Sequence, residues 1–126
     1  MAERVTLVGI QWTNRRSNLA DMAVRLRDGT WFSGPLLAAR SHRARLHGIR
    51  AVPPGWGVLL QTRSVHGFGL RNPLIVVGLD RHGRVCLIRD LAPRKMVTMA
   101  AVTWIAELPT GAVPPSLEAR LELLAI

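Results

Sequence analysis

The run Leu-Ile-Val-Val-Gly-Leu at Leu74–Leu79 constrains this chain most. It is apolar, rich in β-branched residues and too short for a stable helix. A run of this kind, bounded by turn residues, predicts a strand buried on both faces. Pro73 precedes it, where a strand start tolerates a missing backbone donor. Asp80-Arg81-His82-Gly83 follows and ends in a glycine able to take the positive φ of a hairpin loop. Residues 84–91 then return as the partner strand. The centre of the chain therefore reads as a β-hairpin with an apolar core strand.

The flanking segments are mostly short strands with Gly and Pro turns. Residues 3–12 alternate as a strand packed on both faces, and 22–27 read as a second strand. Asp28-Gly29 is a hairpin turn signal, with 30–33 returning and 36–39 extending beyond Gly34-Pro35. Residues 57–61 form another strand. Residues 96–108 form one or two, with Trp104, Ala106 and Leu108 on an apolar face. Residues 13–21 read as a polar loop. Residues 41–49 are the best helical segment, with Ser41 as cap and Gly48 as stop. The final segment, 116–126, fits both a helix through Leu117, Leu121 and Leu124 and a strand through Leu121 and Leu123. The expectation is a mainly β, compact β-sandwich or barrel-like domain with one short helix. At 126 residues the chain reads as one domain, 1–126.

Composition excludes several classes. Hydrophobic residues make up 48% and charged residues 20%, a globular balance. The single cysteine, Cys86, cannot close an internal disulfide and fits a reducing compartment. The first residues make a poor secretory signal and no apolar run approaches a membrane span. The chain therefore reads as soluble and cytoplasmic. The formal charge of +9 invites a nucleic-acid partner. Every basic residue but Lys95 is arginine, in company with abundant Ala, Gly and Pro, as GC-rich coding alone produces. Nucleic acid is thus a possible partner that charge by itself does not favour.

Four stretches together resemble the domain-of-unknown-function 192 family of small bacterial and archaeal proteins. They are the Arg43-Ala44-Arg45 segment leading through Pro53-Pro54-Gly55 to Gly57-Val58-Leu59-Leu60, the stretch Ser64-Val65-His66-Gly67-Phe68-Gly69-Leu70-Arg71, the stretch Leu79-Asp80-Arg81-His82-Gly83-Arg84-Val85, and Glu107-Leu108-Pro109-Thr110-Gly111. The likeness covers about residues 25–125. It implies a compact all-β domain with one short helix, tilts the C-terminal segment toward strand without deciding it, and implies no activity, since the family is uncharacterised. The chain departs from the family pattern at Ile75, where an aspartate is usual, and at Gly67, where a threonine is. The glycines expected around Arg45 are shifted or lost.

Ser64, His66, Phe68 and Arg71 form the preferred ligand-binding candidate. On a regular strand Ser64, His66 and Phe68 share one face, leaving Val65, Gly67 and Gly69 on a face almost bare of side chains. Such glycines mark either close approach of a ligand or relief of crowding at a tight corner. His66 and Arg71 would orient an anionic or carbonyl-bearing group. A Ser64–His66–Asp80 nucleophile set is the enzymatic alternative, a hydrolase-like reading without a nucleophile elbow; Asp80 organising its own loop is the simpler role. Arg40, Arg43, Arg45 and Arg50 form a candidate anion or nucleic-acid patch, or a solvated face whose stems cover apolar surface. His42 and His47 lack the spacing of a helical metal pair and no cysteine pair exists, so neither metal nor other cofactor is expected. Cys86, between Val85 and Leu87, reads as a small hydrophobe. The leading reading is a non-enzymatic module binding a small ligand or protein partner.

Overall fold

The computed structural model describes residues 8–10, 12, 22–39, 49 and 52–126. Within these run β1 (Val8–Ile10), β2 (Met22–Asp28), β3 (Trp31–Phe32), β4 (Leu36–Ala39), β5 (Gly57–Leu60), β6 (Ser64–His66), β7 (Leu74–Leu79), β8 (Val85–Leu91), β9 (Met96–Thr98), β10 (Trp104–Glu107) and β11 (Glu122–Ala125). Nine strands make one sheet in the order β1-β11-β2-β4-β5-β10-β7-β8, with β3 paired to β2. The sheet curls into a half-barrel, so the fold is all-β and compact. Strands β6 and β9 form a separate antiparallel ribbon.

The apolar run is where both halves of the core meet. On β7, Val77 and Leu79 enter one buried cluster with Val24, Leu26, Leu36, Leu59, Trp104 and Leu123. Leu74 and Val76 enter a second, with Val58, Leu60, Val65, Leu91 and Ile105. Residue alternation thus sorts the side chains onto the two faces of the sheet. The first cluster fills the curl. The β6–β9 ribbon covers the second through Val65 and Val97. Trp104 is 4% exposed, on the apolar face expected for it, and meets Trp12 edge to face with ring centroids 5.9 Å apart.

The Asp80 loop folds as the sequence implies. Gly83 has φ 83°, and Asp80 Oδ1 accepts from the N–H groups of His82 (2.8 Å) and Arg84 (3.0 Å). The register between β7 and β8 slips at Gly78/Leu79, which leaves Cys86 as the extra residue of a bulge. Strands β4 and β5 pair in parallel, a geometry that needs a long crossover. Residues 40–56 lie between the two strands in the chain. The helix expected over 41–49 and the loop expected over 13–21 fall outside the described residues, apart from Ile49. The C-terminal segment is a strand: Leu121 and Leu123 are buried in the first cluster, while Leu117, which a helix would have buried with Leu121, is 58% exposed. Among the described residues no helix is long and apolar enough to cross a membrane.

Candidate functional site

Strand β6 pairs Ser64 with Thr98, Val65 with Val97 and His66 with Met96. Val65 and Val97 point into the second core, so the other face of the ribbon carries Ser64, His66, Met96 and Thr98. The Ser64 and Thr98 hydroxyls lie 3.1 Å apart across the ribbon. Beyond His66 the chain turns tightly. Leu70 N–H donates to Gly67 O (3.1 Å) and Gly69 has φ 85°, the signature of a turn that needs glycine at its third position. Phe68 stands at the tip, 56% exposed, with its ring centroid 5.3 Å from that of His66.

The bare side of Gly67 is filled by protein. Gly67 N–H donates to Lys95 O (2.8 Å), and Arg94 N–H donates to Gly67 O (3.1 Å). A Cβ on Gly67 would run into the carbonyl of Ala92. The close approach read from the glycines is therefore made by the backbone of residues 92–95. Arg94 itself has φ 66°, which completes that second turn against the first.

Arg71 leads away from the ribbon to a groove of ≈ 410 Å³ that His66 does not line. Leu70, Arg71 and Leu74 line it together with Val52, Pro53, Trp56 and Pro109. Three of the stretches that carry the family resemblance thus contribute to it. Close by lies Glu107, 3% exposed and on the same face of β10 as Ile105. Ile49 N–H donates to Glu107 Oε2 at 3.1 Å. Burial pushes the Glu107 carboxyl up to about 7, partly offset by that amide. The strand pattern held a signal for this group, since an acid at the end of an otherwise buried alternation has to be accommodated somewhere. Its donor, 58 residues upstream, had no signal.

A second cleft, of ≈ 500 Å³, lies between Ile10, Trp12, His82 and Arg120. Trp12 Nε1–H donates to Leu121 O (2.7 Å), and Gly83 is bare because the Trp12 indole occupies the space of its side chain. Arg81 Nε–H donates to His82 Nε2 at 3.2 Å. Among the described residues no hydrogen bond links Ser64, His66 and Asp80: Ser64 meets Thr98, and Asp80 is engaged by its own loop. Burial, and then the charge of Asp80, raise the Cys86 thiol, which disfavours the thiolate. Among the described residues no three His, Cys, Asp or Glu side chains cluster to hold a metal ion. Arg40, Arg43, Arg45 and Arg50 lie outside the described residues.

No family model matches the chain, and no curated protein does. Two solved structures share its fold. One is a candidate transcription regulator from Sinorhizobium meliloti, 23% identical, with a TM-score of 0.63 over 82% of this chain and 93% of that one. The other is a protein of unknown function from Novosphingobium aromaticivorans, 14% identical, with a TM-score of 0.61 over 96% and 94% of the two chains. Likeness at these identities establishes a shared all-β fold.

Proposed function

We propose that the chain is a non-enzymatic binding module and that it meets its partner along residues 64–71. The observation that carries this is Phe68. A large apolar ring stands in solvent at the tip of a turn whose backbone is held at both ends, and His66 supports it from one side. Large exposed side chains on rigid supports make contact area at small entropic cost. From there the surface runs through Leu70 and Arg71 into the groove. A hydrolase would need a base oriented by a partner. Among the described residues no carboxylate hydrogen-bonds His66, and the nearest hydroxyl on its strand face is engaged by Thr98. The name of the Sinorhizobium neighbour suits a regulatory binding role.

The test is amide chemical-shift mapping of labelled protein against three probes: an oligodeoxythymidine, an acidic peptide and hexanoate. At least one probe is expected to move the signals of residues 64–71 and 94–98 saturably, with Phe68→Ala weakening the response. Shifts confined to the Trp12–His82–Arg120 cleft would overturn the assignment.

A further inference from the structure

We propose that the β6–β9 ribbon is a binding surface for single-stranded nucleic acid, with a base stacked on Phe68 and phosphates met by Arg63, Arg94 and Lys95. The proposal rests on the reading of residues 64–71 as the contact surface and names the partner.

Charge is the first ground. Residues 61–71 and 92–101, which build the ribbon and its two turns, contain Arg63, Arg71, Arg94 and Lys95 and no aspartate or glutamate. All four cations are exposed. Elsewhere two arginines meet acids, Arg27 with Glu122 at 2.7 Å and Arg84 with Glu118 at 3.3 Å. Among the described residues no such pair forms on the ribbon. A patch of one sign in a chain of formal charge +9 attracts a polyanion.

Shape is the second, independent ground. Phe68 and Met96 are exposed on the ribbon, Met96 at 64%, and the Phe68 ring lies against His66. Arg94 and Lys95 are placed near this ring by backbone, since Arg94 N–H and Lys95 O both bond Gly67, the residue before Phe68. A π-face beside exposed cations is the pairing that single strands use, because every unpaired base offers a face and every linkage a charge. A duplex hides its base faces. An acidic peptide or an anionic membrane would answer the cations and leave the ring without a planar partner. The ribbon contributes three residues per strand, so its footprint is short and its affinity modest.

The experiment is fluorescence anisotropy of a labelled deoxythymidine dodecamer over a salt series starting at about 50 mM. Saturable binding is expected, with log K falling against log salt at a slope of about −2 to −3, the value for three or four phosphates on a single strand. Phe68→Ala should weaken binding about ten- to hundredfold and leave the slope alone, because stacking carries no counterions. Arg94→Asn with Lys95→Gln should lower the slope by about 1.4; asparagine is chosen because it tolerates the left-handed backbone of Arg94. Thermal melts of each variant separate lost binding from lost fold. No binding at low salt overturns the proposal. So does a Phe68→Ala variant that binds like wild type, a duplex that competes as well as the single strand, or polyglutamate that displaces the oligonucleotide at equal charge. If the oligonucleotide fails while the acidic peptide or hexanoate still moves the ribbon amides, the partner named here is wrong and the binding-module reading stands.

Discussion

Glu107 lies on β10 opposite Val58 of β5 and Val76 of β7, with the Ile49 N–H as its hydrogen-bond donor. Cross-strand valines offer a carboxylate nothing, so burial favours its protonated form and lifts it from 4.5 to about 7. The consequence for stability follows from proton counting. Between those values the folded chain holds the proton and the unfolded chain has released it. Folding is therefore helped fully below the lower value, and the help is lost as pH rises through the upper one. From pH 5 to pH 8 the loss amounts to about 2 kcal/mol. Glu107→Gln, neutral throughout, should lack this component and be the more stable protein at pH 8. Urea melts at the two pH values check it, and parallel pH dependence in both proteins would show that Glu107 is ionised in the fold. Half of this was legible in the sequence. Alternation puts Glu107 beside Ile105 on one face, whereas only the folded chain brings Ile49 to it.

The β6–β9 ribbon shows why elements were easier to read than their neighbours. Local alternation and turn residues were enough for β7, β8, the Asp80 loop and the late strand around Trp104. They could not decide what stood against Gly67, because ligand and backbone leave the same mark on a sequence. The answer is the turn at 92–95, a neighbour in space and not in the chain. Likewise 116–126 carries both a helical and a strand pattern, and pairing to β1 and β2 selects the strand. For the candidate site, the sequence singled out Ser64, His66, Phe68 and Arg71 together; the fold gives Ser64 and His66 to the ribbon, Phe68 to the turn that follows it and Arg71 to the groove. Gly67→Ala tests the ribbon directly. The added methyl must displace the Ala92 carbonyl and with it the hydrogen bonds to Lys95 and Arg94. Overpacking together with one or two lost backbone bonds should cost about 2–4 kcal/mol. Equilibrium denaturation of the variant gives the number, and a loss below about 0.5 kcal/mol would mean that the 92–95 turn moves aside freely.

At the scale of the molecule, strands far apart in the chain are neighbours in the sheet, and this order is what no local pattern carries. The last strand, β11, lies between β1 and β2, pairing Val8 with Ala125 on one side and Leu26 with Leu123 on the other. It joins the N-terminal strand to the rest of the sheet and sends Leu121 and Leu123 into the cluster that fills the curl. Its start is also where Trp12 is tied, through Nε1–H to Leu121 O, and Trp12 in turn packs on Trp104. Removing residues 121–126 therefore takes away three buried leucines, Leu121, Leu123 and Leu124, the partner that β1 has among the described strands, and the acceptor that orients Trp12. Each buried leucine lost to a cavity costs about 2–5 kcal/mol, and a domain of this size holds about 5–15 kcal/mol in all. The shortened chain is expected to show no cooperative thermal transition and collapsed amide dispersion, although β7, β10 and β5 remain intact in sequence. A sigmoidal melt from the shortened chain would instead show that the sheet from β2 to β8 closes its own core and that β11 is an addition to it.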